Sequence, residues 1–214
     1  MPIRILLADD HALVRDGLAA LLAAWPDMEV VGSVGDGRAA VQMAAELRPD
    51  VVVLDIAMPE MNGIEAARPL LKASPATRIL ILSMHAGAEH IYQALLAGAT
   101  GYLLKESASA EFVSAVRAVD AGKRYLSQKI SRDAIAAYVR QRGAGDPLGS
   151  LSARERQVLQ LIVEGHTSVA VASRINLSPK TVDTYRSRLM RKLEVDDLPA
   201  LVKFAIRHGI IDVE

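Results

Sequence analysis

The chain has 214 residues, balances 25 Lys+Arg against 25 Asp+Glu, and is half hydrophobic with few aromatic side chains. Domains cluster near roughly 100–150 residues, so this length and composition predict two aliphatic cores and exclude a disordered chain. The absence of cysteine excludes disulfides, thiolate metal sites, cysteine nucleophiles and thiol redox sensing, and fits a reducing cytoplasm.

Residues 1–10 place Arg4 and two aspartates around a short apolar run, which is not a secretory signal. No stretch reaches the roughly 18 apolar residues of a membrane span, so no membrane partner is expected. Short apolar runs rich in β-branched residues occur at 3–8, 30–34, 51–54, 79–83 and 102–104, and helical periodicity fills 12–24, 38–47, 63–73, 89–97 and 111–121. Strands alternating with helices read as βαβ units, hence an α/β fold with a parallel sheet. Pro69 removes an intrahelical donor and is expected to shorten or kink the third helix.

Residues 122–129 read as a domain exit, 131–142 as a helix, and 143–150, rich in Gly, Pro and Ser, as a linker. Beyond it the pattern is all helical. Ser152 and Glu155 form a capping box for a helix ending near Gly165, and Thr167 caps a second helix through Ile175. Ser178 with Pro179 opens a third over 179–193, and Pro199 opens a fourth closing at Gly209.

The neutral total hides an asymmetry. Residues 1–125 hold 11 Lys+Arg against 15 Asp+Glu, a net −4, and residues 126–214 hold 14 against 10, a net +4. Within the second part, Arg174, Lys180, Arg186, Arg188, Arg191 and Lys192 face only Asp183, and a stripe of this kind points to a polyanion.

In an open parallel sheet, groups at the carboxyl ends of neighbouring strands converge on one crevice. Asp9 and Asp10 follow the first strand and Asp55 the third; Ser83 ends the fourth and Lys105 the fifth. Close carboxylates repel, and Mg²⁺, which takes few carboxylates and keeps water and phosphate oxygens, is the expected remedy. Asp55 is then placed as a nucleophile toward phosphorus, Lys105 neutralises charge on the transferred group, and Ser83 donates to a phosphoryl oxygen. His11 reads as an ordinary loop histidine.

Together Asp9-Asp10, Asp55 with Met58-Pro59, Asn62-Gly63, Ser83, and Tyr102 three before Lys105 resemble the receiver domain of bacterial two-component response regulators. The resemblance covers residues 1–125. It implies a (βα)5 flavodoxin-like parallel sheet of order 2-1-3-4-5. It also implies that Asp55 is phosphorylated by a sensor histidine kinase, that Asp9, Asp10, Asp55 and the Ala57 carbonyl hold Mg²⁺, and that Ser83, Tyr102 and Lys105 contact the phosphoryl group and relay the change. Glu106 stands where many receivers carry proline.

Leu151-Ser152, Arg154-Glu155, Val158-Leu159, Gly165, 177–182 and Lys192-Leu193 resemble the LuxR-type helix-turn-helix, over 148–214. With 126–147 as a linker containing a helix, the arrangement is of NarL/FixJ type. It implies a DNA-binding transcription regulator rather than an enzyme, acting as a homodimer on double-stranded DNA, with 179–193 as recognition helix and the last helix at the dimer contact. Helical spacing buries Val182, Leu189 and Leu193 and turns Lys180, Thr181, Asp183, Thr184, Ser187, Arg188 and Arg191 toward groove and phosphates. Ser178, Arg186 and Lys192 complete the expected DNA-binding set, with Ser178 and Thr181 placed to hold a phosphate at the helix N-terminus. Val169-Ala170 replace a frequent Lys-Glu pair, and Asp183 fills a slot often held by lysine. A metal-dependent hydrolase built on the same acids needs a substrate-covering insertion, and the loops are short; a phosphorylation-independent binding module is the other alternative.

Overall fold

The computed structural model describes residues 1–107, 109–141, 148–208 and 210–211. The chain divides into two compact units, 1–138 and 139–214. In the first, β1 (Ile3–Ala8), α1 (Ala12–Ala23), β2 (Met28–Val34), α2 (Gly37–Leu47), β3 (Val51–Asp55), α3 (Gly63–Ala73), β4 (Arg78–Ser83), α4 (Ala88–Ala97), β5 (Gly101–Leu104) and α5 (Ser109–Asp120) alternate strictly. A short strand, β6 (Tyr125–Leu126), and α6 (Arg132–Gln141) follow. The sheet is parallel throughout, in the order β2-β1-β3-β4-β5-β6. The five expected strands take the expected order. The sixth pairs two residues to β5, too few to leave a periodic signal in the sequence.

Side chains on successive strand residues point to opposite faces, and both faces are covered. Leu6, Ala8, Val52, Leu54, Ile79, Ile81 and Leu104 join one core with Ala40, Ala44, Ala66, Ala67, Leu70, Ile91 and Ala94 of α2, α3 and α4. Ile5, Leu7, Val51, Val53, Leu80, Leu82 and Leu103 join the other with Leu22 of α1 and Phe112, Val113, Val116 and Val119 of α5. Alanines on the first face let helices approach the sheet closely. Pro69 lies inside α3 without ending it: the helix runs to Ala73, where the sequence pattern ends.

The second unit holds α7 (Ala153–Val163), α8 (Ser168–Ile175), α9 (Pro179–Lys192) and α10 (Leu198–Arg207), after a 3-10 turn at Leu148–Ser150. Their starts follow the cap residues. Ser152 and Glu155 make both bonds of the capping box, and Thr167, Ser178 and Asp197 each accept a backbone N–H of the first turn. Asn176 in the left-handed region closes α8, and Gly165 at φ +90° follows α7. Val158, Leu159, Leu161, Val171, Val182, Leu189, Leu201 and Ala205 are the centre of the core. The expected linker glycine at 143 and the expected helix end at Gly209 lie outside the described residues. Among the described residues no helix is long and apolar enough to cross a membrane.

Candidate functional site: an acidic pocket and a basic helix

β1 lies between β2 and β3, so the chain switches direction across the sheet there and opens a crevice at the strand ends. Asp9 follows β1, Asp55 ends β3, Ser83 ends β4 and Lys105 follows β5; the side chains of the first three are almost fully buried. The Lys105 ammonium stands 2.8 Å from Asp9 Oδ2 and 3.1 Å from Asp55 Oδ2. Beyond that ammonium neither oxygen has a hydrogen-bond partner among the described residues, and both are buried. One ammonium therefore balances part of the charge and leaves lone pairs on both acids open.

Burial pushes the Asp55 carboxyl up to about 6, with the Asp9 carboxylate adding to the effect and Lys105 opposing it. Burial acts to lower the Lys105 ammonium, but the Asp55 and Asp9 charges outweigh it and hold it above the ordinary lysine range. Asp10 and His11 lie at the rim. His11 Nδ1 is 2.7 Å from Asp10 Oδ1 and 3.3 Å from Asp9 Oδ1, and the Asp10 charge raises its pKa. Asp9, Asp10, His11 and Asp55 each present a donor atom within 4.8 Å of the others. The sequence gives no sign that His11 joins this group, because a loop histidine carries no spacing signal.

Two buried, unbonded carboxylate oxygens in a mainly oxygen donor set fit a hard divalent cation such as Mg²⁺. Ala57 lies half-buried on the loop after β3. That loop is tied down by Gly63 N–H donating to the Ile56 carbonyl at 3.1 Å and by Asn62 capping α3. A Cβ on Gly63 would lie 2.0 Å from the Asp55 carbonyl oxygen, which is backbone and has no rotamer to move to. Gly63→Ala is expected to cost roughly 3 kcal/mol, the upper end for overpacking, and to displace Asp55; urea denaturation checks the first effect and phosphoryl uptake the second.

Ser83 Oγ accepts from the His85 N–H at 3.0 Å, which leaves its hydroxyl hydrogen to donate. Tyr102 is fully buried and donates its hydroxyl to the His85 carbonyl at 2.7 Å. The ring is therefore held inside the fold. Burial pushes its phenol up, against partial relief from Ser83. Glu106, in the proline position, pairs with Lys129 at 3.0 Å.

In the second unit, α9 buries Val182, Leu189 and Leu193 as the periodicity requires. Ser178, Lys180, Asp183, Thr184, Ser187, Arg188 and Arg191 are exposed, while Thr181 and Arg186 are half-buried. The Ser178 hydroxyl is engaged as the helix cap and bonds Thr181 Oγ1 at 2.8 Å. Lys192, exposed at the end of α9, also makes an ion pair within its own unit. Its ammonium sits 2.7 Å from Glu155 Oε2 and 2.9 Å from the Ser150 carbonyl, neutralising a buried carboxylate that also completes the α7 capping box. Burial would raise the Glu155 carboxyl, but Lys192 and the Ser152 cap hold it below its ordinary value. Lys192→Met leaves that charge without its cation. We expect the second unit to lose about 1 kcal/mol, because the cation is partly solvated and Glu155 keeps its Ser152 N–H bond, measured as faster hydrogen exchange of α7 and α9 amides in the full chain.

The α/β sheet with an acidic crevice, followed by a four-helix unit with a basic third helix, defines a class: a receiver attached to a helix-turn-helix. Residues 5–117 match the family described as the response regulator receiver domain, and residues 149–205 match the bacterial regulatory proteins of the luxR family. The chain belongs to the two-component response regulators of NarL/FixJ type. It is 36% identical over 210 residues to the response regulator GacA of Pseudomonas aeruginosa, covering 98% of each chain. With the transcriptional regulatory protein LiaR of Bacillus subtilis it shares 37% over 213 residues, 98% of this chain and all of that one. RcsB of Salmonella enterica serovar Typhimurium, solved bound to promoter rprA with the phosphomimetic BeF3⁻, superimposes with a TM-score of 0.66 at 26% identity over 95% of this chain and 98% of that one. Phosphorylation-controlled regulation of transcription follows from the family.

Proposed function

We propose that Asp55 is the phosphoacceptor of a receiver domain spanning 1–125, and that a linker over 126–147 couples it to a DNA-binding domain over 148–214. The observation that carries this reading is the pair of buried, unbonded oxygens on Asp9 and Asp55 facing one ammonium. Asp55 Oδ attacks phosphorus of a phosphohistidine on a sensor kinase. The P–N bond breaks, the imidazole nitrogen leaves with the electron pair, and an acyl phosphate forms. Asp9, Asp10, Asp55 and the Ala57 carbonyl would hold Mg²⁺, which would supply charge neutralisation for the transferred group. Lys105 pairs with a phosphoryl oxygen, and Ser83 donates its hydroxyl hydrogen to another. The protein works in the cytoplasm as a regulator, without turning over a free substrate.

Phosphorylation shifts the balance between two conformations only by its differential interaction with them, and a change from 1:99 to 99:1 needs about 5.5 kcal/mol. Dimerisation on double-stranded DNA amplifies a smaller bias. Lys180, Arg186, Arg188, Arg191 and Lys192 supply the phosphate contacts, and Ser178, Thr181, Asp183, Thr184 and Ser187 line the groove-facing surface. If each protomer neutralises about four phosphates, log affinity of the dimer falls with log salt at a slope near −7. Filter binding from low to moderate salt measures it. The deciding experiment compares wild type with Asp55→Ala, each treated with a small phosphodonor and Mg²⁺, by mass, size and promoter binding. Wild type is expected to gain one phosphoryl group, dimerise and bind more tightly; full stimulation of the variant would dispose of the mechanism.

A further inference from the structure

Asp183 is the one acidic side chain on α9, and it stands on the exposed face that carries Lys180, Arg188 and Arg191. A carboxylate there repels DNA phosphates, so a merely solvated position would weaken a DNA-reading helix for no return. Its placement is not loose. Ser168 Oγ, in the first turn of α8, donates to Asp183 Oδ1 at 2.6 Å, a short charge-assisted bond across fifteen residues. The neighbouring hydroxyls turn back into their own helix, Thr184 to the Lys180 carbonyl at 2.9 Å and Ser187 to the Asp183 carbonyl at 3.0 Å. The exposed polar face therefore presents cations around a fixed group that can only accept.

Resting on the DNA-binding reading above, we propose that Asp183, held by Ser168, is a specificity-determining residue that selects cytosine in the major groove. The choice follows from the base edges. Guanine presents two acceptors, N7 and O6, and thymine presents O4 and a methyl group, so neither offers a carboxylate a donor. Adenine offers its N6 amine beside N7, whose lone pair repels the second carboxylate oxygen. Cytosine offers the N4 amine and has no major-groove acceptor of its own. Ser168 acts as a positioning residue: it occupies Oδ1 and leaves Oδ2 to accept from the base.

The test selects bound duplexes from a random double-stranded DNA pool with the full chain, after small-phosphodonor and Mg²⁺ treatment, at one salt concentration. Wild type is expected to favour cytosine at one position of each half-site by about tenfold or more over the other bases, the scale of one well-made base contact. Asp183→Asn moves that preference toward adenine, because an amide donates to N7 and accepts from N6. Asp183→Ala removes the preference and tightens binding to unrelated DNA. Ser168→Ala weakens the cytosine preference without changing binding to unrelated DNA, and Ser168→Thr restores it. If Asp183→Asn and Asp183→Ala tighten binding to every sequence alike and leave the selected motif unchanged, the acid is only a repulsive charge and the inference falls while DNA binding stands. A wild-type pool that retains no DNA would overturn the DNA-binding reading as well, and one that retains DNA with no enriched motif would overturn this inference alone.

Discussion

Protein carrying Asp55→Asn, incubated with acetyl phosphate and Mg²⁺, is expected to keep its mass, whereas wild type gains that of one phosphoryl group. The substitution keeps the shape and burial of a side chain that is 2% exposed, so its effect is chemical rather than a loss of fold. A neutral amide oxygen is a poor nucleophile toward phosphorus and gives no stable acyl phosphate, so uptake should drop by roughly 10³-fold or more. Asp9→Asn separates the roles within the pocket. It leaves the nucleophile and removes one carboxylate from the expected Mg²⁺ set, so uptake persists but half-saturation moves to about 10–100-fold higher Mg²⁺. Intact mass spectrometry across a Mg²⁺ titration reads both variants. Equal incorporation by wild type and Asp55→Asn would remove Asp55 from the mechanism.

These residues are legible in the sequence because the fold places them by a simple rule. Asp9, Asp55, Ser83 and Lys105 each stand at or just past the carboxyl end of a hydrophobic run, and a parallel sheet brings such ends together. The helix starts of the second unit were legible for a different reason: Ser152, Thr167 and Ser178 cap by contacts three residues away, within one turn. What stayed hidden is long-range. Lys192 reads as one more cation of a basic stripe until Glu155, 37 residues earlier, is packed beside it. Ser168 shows no relation to Asp183 in the sequence, since α8 and α9 must first pack. The orientation of Tyr102 depends on the His85 carbonyl, a backbone group that no side-chain pattern announces. Strand β6 is two residues long and owes its pairing to the adjacent edge of β5.

The same Asp55→Asn protein, free of phosphate and Mg²⁺, is expected to be more stable than wild type at neutral pH. Burial and the Asp9 charge raise the folded-state carboxyl from 3.8 to about 6, so the fold favours the protonated acid. For a group raised in this way, the favourable contribution is complete below the unfolded value and is lost as pH climbs through the folded one. Wild type therefore forfeits stability between about pH 4 and pH 6, and the asparagine variant, which has no proton to lose, does not. The separation converts to about 3 kcal/mol above pH 6. Thermal or urea unfolding at pH 4.5 and pH 7.5 should show the gap narrowed to about 1 kcal/mol at the lower value and fully open at the higher. Mg²⁺ works in the opposite direction on wild type, because a cation bound by the folded pocket stabilises it by RT ln(1 + [Mg²⁺]/Kd), and that gain shrinks once the Asp55 charge is gone. Added Mg²⁺ should thus close the gap between the proteins at pH 7.5. A gap that ignores both pH and Mg²⁺ would mean that the carboxylates are relieved by something other than a proton or a cation, and the pocket would lose its reason for holding buried acids around one lysine.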